Sequence, residues 1–232
     1  MIVKLKNKNE IAKKGIEVLM LKIHQAAKLK ERVIVALCGG RSVKGIFEEL
    51  AKEEDEVLKK VDFFWVDERV VDLEDPDSNY KLAKDTFLDS LLDRGVIGKE
   101  QIHTLPYQEA RAVIVSDYNE ELQKLNELLS FDIVLLGVGE NSHIGALHPD
   151  HHSIKDKAEG YIYMDDSPKE PSERISASRK MIENSRVAIA IFHGKAKEEA
   201  FQNYMDGSLS IEKCPVKVIN KLTEHIVLTD LK

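Results

Sequence analysis

Little in this sequence fits life outside a cell or within a membrane. Its two cysteines, Cys38 and Cys214, cannot make a disulfide framework for 232 residues. The N-terminus has no apolar signal core, and the longest apolar runs fall far short of the roughly 20 residues of a spanning helix. A cytoplasmic protein is expected. No Lys/Arg block is present and the net charge is −7, which argues against a nucleic-acid partner or an acidic membrane surface. A small anionic ligand, by contrast, needs only a local basic pocket. No Pro/Gly/Ser-rich linker and no internal repeat divides the chain, so residues 1–232 read as a single domain. CxxC, HExxH, the Walker loop, GxGxxG and GxSxG are all missing, which removes the usual grounds for a zinc, a nucleotide or a serine-hydrolase site. A looser metal reading survives on His143, His148, His151 and His152 as a minor option. His151 and His152 read most simply as a solvated helix start.

What is present is enough apolar residue for a sizeable core, 43% hydrophobic against 32% charged. The stretch 131–149, FDIVLLGVGENSHIGALHP, organises the rest. Residues 133–136 are an unbroken apolar run, the pattern of a strand buried on both faces of a parallel sheet. Gly137 and Gly139 then let the backbone approach a ligand, and His143 follows at the sheet edge. Further buried strands are read at 32–37, 61–66 and 187–192, with shorter candidates at 2–5, 160–164 and 225–228. Helical spacing covers 9–30, the segment with Ile46, Phe47 and Leu50, that with Leu82, Phe87, Leu88 and Leu91, residues 108–129, and a segment ending at Met205. Such alternation predicts an α/β fold whose parallel strands point one way and whose ligands bind outside their carboxyl ends. The segments 38–42, 67–69, 137–143 and 193–197 should therefore share one rim, and the loop 165–173 should deliver Arg174 to it.

Each of these segments carries chemistry. Gly39, Gly40, Arg41 and Ser42 stand between a strand and a helix, where turn amides and the helix dipole can hold a phosphate, with Ser42 as cap or hydroxyl donor. A plain strand-to-helix turn explains the same residues. Cys38 reads as a small buried residue, because nothing local lowers its pKa. Arg69 suits the polarising of a carbonyl or the neutralising of an oxyanion, with Asp67 holding it through a bidentate pair. A surface ion pair is the plainer reading. His143, with an ordinary pKa near about 6.5, is the best general base on the rim, and Lys197 and Arg174 add cations. The rim as a whole suits an anionic substrate.

Taken together, CGGRS, VDFFWVDERVVDLEDPDSNY, FDIVLLGVGENSHIGALHP, SERIS and HGKAK resemble, in order and over nearly the whole chain, the 6-phosphogluconolactonase family. That family is similar in fold to the wider group of glucosamine-6-phosphate isomerases and ribose-phosphate isomerases. The resemblance implies a modified Rossmann-like parallel sheet with helices on both faces. It implies hydrolysis of 6-phospho-D-glucono-1,5-lactone to 6-phospho-D-gluconate in the oxidative pentose phosphate pathway, with no metal or organic cofactor. It places the general base at His143, the oxyanion contact at Arg69 and an orienting role at Asp67. Gly39, Gly40 and Ser42 match the turn near the substrate phosphate, Arg174 and Lys197 match its basic ligands, Arg41 is a further contact and Asn79 has a supporting role. The expected partner is the small sugar-phosphate lactone, and the expected assembly a monomer or small homo-oligomer.

Two other readings share these residues. An amino-sugar phosphate isomerase/deaminase is disfavoured by Asp67-Glu68-Arg69 in place of that branch's Asp-Glu-Tyr and by the lack of its Phe-Asn-Glu-Pro segment. A non-catalytic sugar-phosphate-binding module is suggested by the altered histidine loop. Where the family reads close to Asp-Gly-His-Thr-Ala-Ser-Leu-Phe-Pro, residues 141–149 read Asn-Ser-His-Ile-Gly-Ala-Leu-His-Pro. Ser142 stands in a glycine's place, so a positive φ and a mildly strained loop are expected there.

Overall fold

Uninterrupted apolar runs become the middle of a sheet because both of their faces must leave water. The computed structural model describes residues 1–105, 107 and 109–232. Its strands are β1 (Ile2–Lys4), β2 (Val33–Leu37), β3 (Val61–Trp65), β4 (Asp67–Arg69), β5 (Ile133–Gly137), β6 (Tyr161–Met164), β7 (Arg174–Ala177), β8 (Val187–Phe192) and β9 (Glu224–Thr229). Six of these form a sheet in the order β1-β9-β8-β5-β2-β3, with every pair parallel. β2, β3 and β8 are buried at every position, and each fully buried Val, Ile or Leu contributes about 1.5–3 kcal/mol. From β2 the chain steps outward to β3, then returns to lay β5 on the other side of β2. The crevice beyond the carboxyl ends of β2 and β5 is thus a topological switch point, the place where ligands bind in such sheets.

The helices are α1 (Lys8–Ala27), α2 (Lys44–Leu50), α3 (Asn79–Ala83), α4 (Asp89–Asp93), α5 (Arg111–Leu125), α6 (His152–Lys155), α7 (Arg179–Glu183) and α8 (Glu198–Met205). α1 starts where the Asn7 side chain accepts the Glu10 N–H at 3.0 Å, and it buries Ile11, Ile16, Leu19 and Ile23. α3 runs into α4 through a π turn, Lys84–Leu88. The helix expected over 108–129 is shorter, and its expected first residue, Gln108, lies outside the described residues.

The expected parallel sheet is present, and the structure adds to it. A second, antiparallel sheet of three strands, β4-β7-β6, stands beside the first. Val66 joins the two: its N–H donates to Leu37 O at 2.8 Å, and its carbonyl accepts the Ala177 N–H at 2.7 Å. One residue thus serves both sheets, and the chain continues from β3 directly into β4. Neither β4, which is Asp-Glu-Arg, nor β7 carries the apolar run by which sequence signals a strand. The end of β3 is held by buried tyrosines, Tyr118 accepting the Trp65 N–H at 3.0 Å and Tyr161 donating to Trp65 O at 2.7 Å.

Candidate active site

Beyond the carboxyl ends of the parallel strands lies a cavity of about 650 Å³. Gly39, Gly40, Arg41, Ser42, Asp67, Arg69, Asn79, His143, Arg174 and Lys197 all line it. Residues from separate stretches of sequence therefore meet, the turns with Gly39–Ser42, His143 and Lys197 because the parallel strands end on one side, and Asp67, Arg69 and Arg174 because β4 and β7 pair beside them.

The turn after β2 is fastened to β5 by Cys38, whose Sγ accepts the Gly137 N–H at 2.8 Å. Burial pushes this thiol up to about 12, so iodoacetamide at about pH 8 should leave Cys38 of the folded chain unmodified, as peptide mass mapping would record. Gly39 must lack a side chain, because a Cβ there would run into the Asn79 amide. That amide in turn donates from Nδ2 to Asp67 O at 2.7 Å. Asn79 is therefore a spacer between the glycine turn and β4. Gly40, with φ +97°, occupies the left-handed region that its place in the turn requires.

Glu68, which nothing in the sequence singled out, is what holds Asn79 in place. Buried at the end of β4's first peptide, its carboxylate accepts the N–H groups of Arg69 (2.7 Å), Asn79 (2.8 Å) and Tyr80 (2.7 Å) and the Ser78 hydroxyl (3.1 Å). Burial outweighs these donors and raises its pKa to about 7. A glutamate in a charged triplet carries no sequence signature of burial, so only its tertiary partners reveal it.

Arg69 and Arg174 sit directly opposite each other in the β4–β7 register. Like charges in such positions repel, and the compensating anion is Asp67, whose Oδ2 lies 3.1 Å from Arg174 Nη1. The expected Asp67–Arg69 pair is thus replaced by a buried Asp67–Arg174 pair. Arg69 reaches outward instead, donating from Nη1 to Asp77 O. Arg174 also donates from Nε to Pro171 O (3.0 Å) and from Nη2 to Lys169 O (3.2 Å) and Glu170 O (3.3 Å). Of its five N–H groups, one on Nη1 is left over. The arginine is chiefly a clamp that ties the loop 165–173 to β4. That loop brings Lys169 into the cavity wall, a cation the sequence reading passed over between two prolines.

After β5 the chain closes a tight loop, with Gly139 N–H donating to His143 O at 2.8 Å and Ser142 N–H to Gly139 O at 3.0 Å. A Cβ on Gly139 would fall on the imidazole, so that glycine lets the His143 ring lie flat against the turn. His143 Nδ1 is 2.5 Å from Asn141 Oδ1. An amide oxygen only accepts, so Nδ1 carries the proton and Nε2 is the basic atom. Burial, followed by the charges of His148, Lys169, Lys197 and Arg174, drives the His143 pKa down to about 2. The imidazole is neutral wherever the protein works. Ser142 has φ +70°, the conformation expected from its place in the loop, at a cost of about 1–2 kcal/mol for a residue with a Cβ.

The match to known proteins settles the lineage. The family model for glucosamine-6-phosphate isomerases/6-phosphogluconolactonase matches residues 6–228. A 6-phosphogluconolactonase of Borreliella burgdorferi is 33% identical over 199 residues, covering 85% of this chain and 83% of that protein. The chain belongs to this family. Among solved structures, the 6-phosphogluconolactonase of Thermotoga maritima superposes with a TM-score of 0.85 at 18% identity, over 100% of this chain and 99% of that one. A monomeric glucosamine-6-phosphate deaminase does so with 0.80 at 18% identity, over 98% and 96%. At such identities these likenesses speak for the fold.

Within this glucosamine-6-phosphate isomerase/6-phosphogluconolactonase member, the histidine loop has its own character. His148, where the family pattern has phenylalanine, is buried with its ring 4.6 Å from that of His143 and its Nε2 3.1 Å from Ser167 Oγ. Burial, then Arg174 and His151, lowers its pKa to about 4, so it packs as a neutral aromatic ring. The rings of His143 and His148 therefore pack together at a tilt, whereas His151 and His152 turn away toward Asp166. Lys197 follows Gly194, which has φ +84°, on the turn after β8. It is half-buried, and burial lowers its pKa. In a chain of net charge −7, Arg41, Lys44, Arg69, Lys169, Lys195 and Lys197 outweigh Asp67, Glu140 and Glu170 in this wall. The positive field is focused in the cavity, where an anion would meet it.

Proposed function

We propose that this enzyme hydrolyses 6-phospho-D-glucono-1,5-lactone to 6-phospho-D-gluconate, acting in the cytoplasm as one domain over residues 1–232. The observation that carries the reading is a neutral imidazole, its tautomer set by Asn141, in the wall of a cation-lined cavity at the sheet's switch point. The unpaired Cys38 and Cys214 suit a reducing compartment, and among the described residues no helix is long and apolar enough to cross a membrane.

In this reading the substrate phosphate takes the Gly39–Ser42 turn amides with Lys197, Lys169, Arg41 and the spare Arg174 N–H. His143 Nε2 removes a proton from water as the oxygen attacks the lactone carbonyl. Arg69 stabilises the oxyanion of the tetrahedral intermediate. When that intermediate collapses, the ring C–O bond breaks and His143 returns its proton to the departing ring oxygen, so water is added across the ester and nothing else is consumed. The bound phosphate also raises the basicity of His143, because Lys169, Lys197 and Arg174 are among the charges that depress it. An NMR titration should show the His143 pKa rise when inorganic phosphate or 6-phosphogluconate is added, and an unmoved value would count against shared occupancy of this cavity.

The deciding assay uses freshly generated lactone, corrected for spontaneous hydrolysis, alongside glucosamine 6-phosphate with ammonia as the readout. Faster loss of lactone and no ammonia are expected. Ammonia release, or phosphate-ester binding with no turnover, would replace the reading by the deaminase or the binding module respectively. Lys197→Ala should raise KM about 10- to 100-fold with kcat nearly unchanged, as loss of one charge-assisted contact of about 1.5–3 kcal/mol made in ground and transition states alike.

A further inference from the structure

A second imidazole, His193, lines the catalytic cavity, with a quarter of its side chain exposed. His193 is the first residue past β8, and Asp230 the first past β9. The two strands pair in parallel with Phe192 opposite Thr229, so the next residue of each stands beside the other. His193 Nδ1 lies 2.8 Å from Asp230 Oδ2, and the second carboxylate oxygen accepts the Gly194 N–H at 2.9 Å. One carboxylate thus fixes both the ring and the start of the turn that carries Lys197. That turn is closed by the Lys197 N–H, which donates to Gly194 O at 2.9 Å. An ionised carboxylate only accepts, so Nδ1 carries the ring proton. Nε2, on the edge of the ring away from Asp230, is the atom left for a cavity ligand.

We propose that His193 is a further ligand of the substrate phosphate, sharing one proton with it through Nε2, and that Asp230 is the residue that positions it. This rests on the phosphate placement proposed above and deepens it. A phosphate monoester loses its second proton near about pH 6. Meeting the monoanion, neutral Nε2 accepts the phosphate O–H. Meeting the dianion, it takes a proton from the buffer and donates to a phosphate oxygen. Both routes end in the same complex, with one proton between nitrogen and oxygen and the Asp230 carboxylate balancing the charge on the ring. No bond to carbon or phosphorus changes. An ammonium only donates, so the lysines of the cavity do not make this contact. The charged groups around His193 are Asp230, Lys195 and Lys197 on the adjoining turns, and Arg41, Glu140 and Lys169 in the wall that Lys197 faces. Lys197 and His143, whose pKa values burial lowers, are the competing sites of proton uptake.

The test is calorimetry of the full chain with 6-phosphogluconate at about pH 8, in buffers of different ionisation enthalpy. The wild type should take up most of one proton per ligand bound, and ring-nitrogen NMR should show His193 Nε2 protonated in the complex. His193→Asn keeps a donor for Asp230 while removing Nε2. It should bind about 10- to 100-fold more weakly, the loss of one charge-assisted contact, and the proton uptake should vanish. Lys197→Ala should also bind weakly but keep the uptake. Asp230→Asn should bind more weakly and take up fewer protons, since the charge that balances the ring is gone. Undiminished uptake in His193→Asn, or a His193 ring spectrum unmoved in the wild type while 6-phosphogluconate binds, would overturn the inference and leave the phosphate placement standing. Failure of the wild type to bind 6-phosphogluconate would overturn both.

Discussion

His143→Ala should lose about 10²–10⁴-fold in kcat for the lactone with KM little changed, the range expected when a general base is removed and the binding cations stay. The phosphate contacts lie on other segments, and the hydrogen bond the ring makes among the described residues is to Asn141 rather than to a phosphate-binding residue, so substrate affinity has little reason to move. Equal corrected rates for wild type and variant would end the assignment of the base. The same variant has a pH signature in stability. In the unfolded chain this histidine takes a proton below about 6.5, whereas in the folded chain it resists protonation down to about 2. Between these limits the unfolded state holds more protons, so the native state loses stability as pH falls, by up to about 1.4 kcal/mol per pH unit for each such proton. His148, lowered to about 4, acts in the same sense. Glu68, raised to about 7, acts oppositely, its contribution being complete below its ordinary range and lost as pH rises toward 7. Urea titrations between about pH 4 and 6.5 should therefore show a shallower acid loss in His143→Ala than in the wild type. An unchanged slope would contradict an imidazole held neutral in the folded chain.

Arg174→Ala should destabilise the fold by about 3–5 kcal/mol, the cost of leaving one member of a buried ion pair without the other. Arg174 and Asp67 are each about 5% exposed, and the same guanidinium satisfies three carbonyls of the loop 165–173. For a chain of this size the melting temperature should drop about 6–20 °C. Arg174→Lys should rescue little, since an ammonium lacks the planar fork that spans Asp67 and the loop at once. Asp67→Asn combined with Arg174→Met should be less damaging than Arg174→Ala, because no unpaired charge is then buried. Below its melting point the Arg174→Ala enzyme should also show a raised KM through misplacement of Lys169. A loss below about 1 kcal/mol would mean that the pair is solvated and the clamp unimportant.

Residues that the sequence marked for chemistry were found in one cavity, while several of their partnerships were not foreseeable. Gly39, Gly40, His143 and Lys197 were legible because each follows a long apolar run, and a run of that kind announces a buried strand whose end is a rim. Ser142 was legible as a positive-φ position because it departs from a glycine in the pattern the chain resembles. Lys169 escaped because a lysine in a polar, proline-flanked loop looks like solvent-facing charge. His148 escaped because a histidine packed as a neutral ring is written with the same letter as one that ligates or titrates.

The order of apolar runs, glycine turns and charged strand ends was enough to determine the parallel architecture and the side of it that carries chemistry, since both follow from local burial and the one-way sense of β/α units. Which cation answers which carboxylate was decided only in three dimensions. Asp67 is two residues from Arg69 in the chain, yet it pairs with Arg174, because the turn at Val66 folds β4 onto β7 and sets that distant guanidinium diagonally across from the carboxylate. Charge pairing depends on ångström-scale distance and on exclusion of water, and neither is encoded by separation along a polypeptide.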